Sequence, residues 1–192
     1  MRKILFIICW ALAGVGLYSC SLDEPSYGKT TSDNYYQKES DIEQALTGAY
    51  LQLRTTWNEY ALNHYFVGDC STDDALKGGG NDGDRAEVRD LSDFTIYTTN
   101  GEVGRRWEIL YRLINRCNDV IYYAPDAIGN EELLKRYANE AKALRAFGYY
   151  CLVTTFGEVP LITTPMQPAE ILQIPRSPLE KVYERSEERR VG

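Results

Sequence analysis

Apolar residues recur at helical spacing in three stretches of this chain. Ile42, Ala45, Leu46, Ala49, Tyr50 and Leu53 follow one another at i, i+3, i+4, i+7, i+8 and i+11. That spacing predicts an amphipathic helix, and Ser40-Asp41-Ile42-Glu43 reads as the capping box that starts it. Trp107, Leu110, Tyr111, Ile114, Cys117 and Ile121 form a second stripe. Pro125 and Gly129 then break the pattern, and Asn130 is placed to cap a third helix from about Glu131 to Phe156. On that helix Leu133, Tyr137, Ala141, Leu144, Gly148 and Leu152 share a face, and Gly148, Ala143 and Ala146 thin the surface so that another helix can approach. Gly157 ends it. An extended arm follows, beginning Val159-Pro160-Leu161-Ile162 and carrying Pro165, Pro168 and Pro175. Ser177-Pro178-Leu179-Glu180 is a further capping box with Pro at the first helical position. Strand signals are scarce, so the pattern predicts a mainly α-helical fold.

Between the first two long helices the signal changes. Asn58 to Val67 is aromatic and polar and suits a short helix. Gly68 to Asp84, GDCSTDDALKGGGNDGD, is dominated by glycine and aspartate and reads as a loop. The helix pair meeting across Tyr122 to Asn130 looks like one unit of a helical-repeat array, although no 34-residue period is present. Such pairs need neighbours to bury their second faces.

The amino terminus obeys a different rule. Met1-Arg2-Lys3 precedes an uncharged, almost wholly apolar run from Ile4 to Tyr18. A spanning helix needs roughly 20 such residues, so this shorter run with its basic start reads as a secretory signal. Leu17-Tyr18-Ser19-Cys20 resembles a bacterial lipobox. That resemblance implies diacylglycerol on the Cys20 thiol, cleavage before it, and acylation of the new amine. Each buried CH₂ contributes about 0.8 kcal/mol, and two chains anchor stably. The other reading is an ordinary cleaved signal with a chance cysteine. Ser21-Leu22-Asp23-Glu24 resembles the acidic signal that sends lipoproteins of Bacteroidetes-type bacteria to the outer face of the outer membrane. The expected division is residues 1–19 as signal peptide, 20–30 as lipidated tether and 31–184 as helical domain.

The far end is also unusual. Residues 185–192, Arg-Ser-Glu-Glu-Arg-Arg-Val-Gly, look like translated sequencing-adapter DNA. That likeness implies a natural chain that continues past Glu184 with other residues, the alternative being a genuine charged helix end.

Composition narrows the chemistry. Of 192 residues, 28 are Asp or Glu and 21 Lys or Arg, a formal net charge of −7. An acidic chain with no basic cluster in its body argues against nucleic acid. Cys70, Cys117 and Cys151 remain once Cys9 and Cys20 are set aside. Three is an odd number, so no disulfide framework is implied, and Cys117 and Cys151 fall on apolar helix faces, where a cysteine is usually a small core residue. His64 is the one histidine. It stands without zinc-ligand spacing, and any nucleophile–base pair built on histidine would have to use it. Asp73-Asp74 and Asp82-x-Asp84 lack the twelve-residue calcium-loop pattern. Gly78-Gly79-Gly80 is not followed by Lys-Ser/Thr, so it is no phosphate loop. The sequence predicts no enzyme, metal or cofactor.

Three blocks carry a family resemblance. DNYYQKESDIEQALTGAYLQLR (33–54), RWEILYRLINRCNDVI (106–121) and AKALRAFGYYCLVTTFGEVPLIT (141–163) resemble, in order, the N-terminal region of SusD/RagB nutrient-binding lipoproteins. The resemblance implies an all-α, tetratricopeptide-like fold that is incomplete at the C-terminus. It implies a surface lipoprotein that captures glycans or other nutrients and delivers them to a SusC-like, TonB-dependent barrel in the outer membrane. For a sugar, flat aromatic faces and nearby amides or carboxylates are the expected contacts. Trp57, Tyr60, Asp73, Asp74, Asn81 and Asn100 are the candidates, with Trp107 assigned to the core. Two other readings remain open. One is a lipid-anchored helical scaffold with no solute ligand, and the other a glycan hydrolase using a carboxylate pair in the acidic loop.

Overall fold

The computed structural model describes residues 32–54, 60–81 and 83–186. The signal and tether, with Cys20, lie outside the described residues, as do Trp57, Asp82 and residues 187–192. Eight α-helices occur among those described. They are α1 (Ser32–Tyr35), α2 (Glu39–Tyr50), α3 (Tyr60–His64), α4 (Ala86–Ser92), α5 (Gly101–Tyr123), α6 (Glu131–Phe156), α7 (Pro168–Ile171) and α8 (Leu179–Ser186). There is no strand among the described residues, only two isolated bridges, Lys38 with Ile128 and Val159 with Ser177. None of the described helices is long and apolar enough to cross a membrane.

The frame is the antiparallel pair α5/α6. Contacts run in opposite directions along the two helices: Arg106 meets Thr155, Ile114 meets Gly148, and Asn118 meets Arg145. With 23 and 26 residues, the helices are about 34 and 39 Å long. Each begins on an asparagine. The Asn100 carboxamide oxygen accepts from the N–H groups of Glu102 and Val103, and Asn130 does the same for Glu132 and Leu133. Two donors that the helix itself leaves unpaired are satisfied at each end. Gly157 closes α6 at φ +71°, a backbone angle that favours glycine. Gly148 allows the close approach anticipated from sequence. A Cβ there would sit 3.0 Å from Ile114 Cγ1. Ala146 is buried as well, whereas Ala143 faces solvent.

Helix α2 lies across both long helices. Ile42, Leu46 and Ala49 bury against Leu113, Cys117 and Leu144, and full burial of a side chain such as Ile42 contributes about 1.5–3 kcal/mol. Its start differs from the capping box expected at Ser40. The cap lies two residues earlier, at Lys38, and the Asp41 carboxylate accepts from the Lys38 N–H at 2.9 Å. Tertiary contact sets this start. Glu39 N–H donates to the Ile128 carbonyl at 3.0 Å and Ile128 N–H to the Gln37 carbonyl at 2.8 Å, so the α5–α6 turn holds the entry to α2. Helix α8 begins at Leu179, one residue inside the expected site, and Val182 is fully buried. It runs to Ser186, two residues into the segment that resembles adapter sequence.

The second half of the core surrounds Leu110, Ile114, Tyr149 and Leu152, with Val159 from the arm and Val182 from α8. Cys70, Cys117 and Cys151 are all free and buried, as expected of small core residues for the latter two.

Candidate functional site

The extended arm is held by side chains rather than by a neighbouring strand. Tyr111 donates its hydroxyl to the Pro160 carbonyl at 2.7 Å. The Tyr149 hydroxyl accepts from Ile162 N–H at 2.7 Å and donates to the Ile162 carbonyl at 2.8 Å. Asn118 Nδ2 donates to the same carbonyl at 2.9 Å. Arg145 bridges the Asn118 carboxamide oxygen at 2.8 Å and the Thr163 carbonyl at 3.0 Å. Tyr149, Asn118 and Arg145 are buried. A buried peptide without partners is costly, and these three side chains satisfy it. Burial also pushes the Tyr111 hydroxyl well above the usual tyrosine range. Arg145 and Tyr149 lie within the 141–163 block that carries the family resemblance, which by itself assigns none of these bonds. The available signal was a polar residue, Asn118 or Arg145, within an otherwise apolar helical face.

Near the start of α5 the acidic loop is tethered. Cys70, at its root, is 1% exposed. Lys77 N–H donates to Ser92 Oγ, and its ammonium donates to the Asn81 carbonyl at 2.7 Å. The Asn81 carboxamide oxygen accepts from the N–H groups of Gly83 and Asp84, closing a side-chain turn. Asp73 and Asp74 are exposed, and Asp74 N–H donates to Thr72 Oγ1. Beneath the loop, Arg85 stacks on Phe66 at 4.5 Å and lies 3.7 Å from the buried Glu102 carboxylate. Asn63 Nδ2 donates to the Glu102 carbonyl at 2.9 Å.

The candidates taken from sequence therefore separate. Asp73, Asp74 and Asn81 share the exposed loop. Tyr60 is 9% exposed. Its ring stacks on His64, and its hydroxyl lies 3.2 Å from Cys151 Sγ. Burial, then the Cys151 contact, pushes that hydroxyl well above the usual tyrosine range. Asn100 is 6% exposed. Its oxygen caps α5, and its Nδ2 donates to the Glu87 carbonyl. Trp107, assigned to the core, is half-buried against Tyr111 and Phe156. It borders an apolar groove of about 380 Å³ between α5 and the arm. A more polar cavity of about 580 Å³ opens at the other end of α5, where Tyr36, Tyr122, Tyr123 and Asp119 meet Gln167 and Glu170. Among the described residues no cluster of three or more His, Cys, Asp or Glu side chains is arranged to hold a metal ion.

Comparison with known proteins decides the family. A SusD-like family described as starch-binding, associating with outer membrane, matches residues 21–189. The chain belongs to the SusD-like family. SusD-like protein P2 of Formosa agariphila is 29% identical over 187 residues, 95% of this chain and 35% of the relative. SusD-like protein P25 of the same organism is 26% identical over 91% of this chain and 34% of its own length. Among solved structures, a laminarin binding SusD-like protein superposes with a TM-score of 0.70 at 30% identity, covering 80% of this chain and 33% of that one. Surface glycan-binding protein A from Bacteroides fluxus gives 0.67 at 28% identity, again over 80% and 33%. This SusD-like chain thus spans about a third of the length of the curated relatives it matches. Its mainly α-helical fold is that of the solved SusD-like structures over about a third of their length.

Proposed function

We propose that this SusD-like chain is the N-terminal helical part of a lipoprotein at the surface of the outer membrane. Cys20 carries the lipid, and residues 20–30 are the tether. The whole protein binds glycans or related nutrients and passes them to a SusC-like, TonB-dependent barrel. The family match over residues 21–189 carries this reading, and the lipobox at Leu17 to Cys20 supports the anchor. Helices α5 and α6 with the pinned arm are the rigid support, and loops project from it. Asp73, Asp74 and Asn81 on the acidic loop are the proposed contacts for sugar hydroxyls, and Trp57, outside the described residues, is the proposed contact for a ring face. Tyr60 and Asn100 take part by holding the support together.

The test is made on the full-length native protein. Globomycin-sensitive processing and a diacylated Cys20 fragment in mass spectrometry are expected. So are recovery of an outer-membrane β-barrel on affinity purification and heat on titration with at least one extracellular polysaccharide. An unmodified thiol at position 20 in protein released to the medium refutes the anchor. Purification without any barrel, together with silence across a broad polysaccharide panel, refutes the receptor.

A further inference from the structure

The cavity at the C-terminal end of α5 has the ingredients of a binding site that the acidic loop does not supply. Tyr36 and Tyr123 stack face to face, 4.3 Å apart and 2° from parallel. Tyr122 stands edge-on to Tyr123 at 85° and is 56% exposed. More than half of its surface is therefore open to a ligand. Asp119 sits at the base, accepting from the Tyr36 hydroxyl at 3.2 Å. Gln167, at the entrance to α7, and Glu170 complete the polar wall from the arm. The volume of about 580 Å³ lies inside the roughly 300–1,000 Å³ usual for small-molecule sites.

The chemistry of the wall selects the ligand. No lining residue is positively charged while two are carboxylates, which disfavours an anion. Each carboxylate already accepts one bond, Asp119 from Tyr36 and Glu170 from the Gln167 N–H at 2.9 Å, but a wholly apolar ligand would strip water from their remaining acceptor sites. An organic cation prefers aromatic faces on several sides. Here the inner faces of Tyr36 and Tyr123 are spent on each other, which leaves a one-sided platform. A pyranose suits that arrangement, with its CH face on Tyr122 and its hydroxyls toward the Gln167 amide and the carboxylates.

The geometry points to a second, neutral-sugar subsite on Tyr122, flanked by Asp119 and Gln167, at the opposite end of α5 from the acidic loop. It rests on the proposed glycan-binding function and adds to it a place and a ligand chemistry. Residues 102 and 122 are about 30 Å apart along the helix, so one glycan reaching both regions must be long. Two linked contacts raise affinity beyond either alone.

The test is calorimetric titration of the full-length protein with maltoheptaose, laminarihexaose and the parent polysaccharides. Tyr122→Ala and Gln167→Ala are compared with wild type and with Tyr150→Ala, an exposed tyrosine on α6 outside the cavity. The expected result is a loss of about five- to tenfold in affinity for Tyr122→Ala, a smaller loss for Gln167→Ala, and none for Tyr150→Ala. Wild-type glycan binding that both cavity variants leave intact overturns the subsite while the receptor reading stands. Absence of any glycan binding by wild type overturns both. Tetramethylammonium binding that Tyr122→Ala abolishes, with sugar binding unaffected, replaces the sugar by a cation.

Discussion

Removing one oxygen from Tyr149 isolates the bond set that holds the arm. In Tyr149→Phe the ring stays and its apolar burial is unchanged. Two hydrogen bonds disappear, at 2.7 and 2.8 Å. Their fates differ. The Ile162 carbonyl keeps the Asn118 amide at 2.9 Å, so this loss is that of an ordinary bond, about 0.5–1.5 kcal/mol. The buried Ile162 N–H (6% residue exposure) is stranded, at about 1–3 kcal/mol. Together the change destabilises by about 2–4 kcal/mol. In urea, at a slope of about 2 kcal/mol per M, the middle of the range for small proteins, the midpoint falls by about 1–2 M. Tyr111→Phe is the internal comparison. Tyr111 is less buried, and its hydroxyl makes one bond, to the Pro160 carbonyl. Water can take over that carbonyl, so the loss is about 0.5–1.5 kcal/mol. Equilibrium unfolding of both variants against wild type checks the pair. If Tyr149→Phe unfolds within 0.5 kcal/mol of wild type (a threshold of about the measurement error), the claim that the hydroxyl satisfies the arm backbone is wrong.

Other expectations follow from individual contacts. Gly148→Val places branches where a Cβ alone already meets Ile114 at 3.0 Å. Overpacking of about 1–3 kcal/mol then lowers the thermal midpoint, and an unchanged melt refutes the close helix approach. Cys117 is fully buried, and that burial pushes its thiol up to about 12. It therefore resists iodoacetamide at pH 8 in the native protein and reacts only after denaturant is added, as peptide mass spectrometry can follow. Burial raises the Asp119 carboxyl above its ordinary value despite the Tyr36 bond and the Arg116 charge. A raised acid favours the native state when protonated and disfavours it when ionised. Asp119→Asn is therefore expected to be more stable than wild type at pH 7. The margin shrinks as the pH falls and the wild-type carboxyl takes up its proton. Urea midpoints at several pH values check this, and a margin that grows on acidification contradicts it.

The helices were legible because the information for them is local. Stripes at three- and four-residue spacing, Asn130 before the third helix and Gly157 after it mark elements that the structure reproduces. Starts were less legible where distant contact intervenes. Ser40 carries a good capping signal, yet Glu39 opens the helix because Ile128 supplies its backbone partner. Polar residues on apolar faces were harder still. Asn100 is a candidate sugar contact by sequence, but in place its oxygen caps α5 and its amide reaches Glu87. Tyr60 offered the aromatic face expected of a sugar platform, and the fold turns that face to His64 and Phe147.

The amino-acid sequence alone determined the helical class, the caps and breaks of the two long helices, the small core thiols of Cys117 and Cys151, and the family. Each depends on residues close in the chain or on short blocks in fixed order. Tertiary structure alone decided which polar groups are consumed inside. Tyr149 meets Ile162 thirteen positions away, and Tyr36 meets Asp119 across eighty-three. It also gathered Tyr36, Tyr122 and Tyr123 around one cavity. Helical periodicity assigns a residue to a face, but what lies against that face depends on how separate elements pack, and that packing turned some tyrosines into core and left others as an open surface.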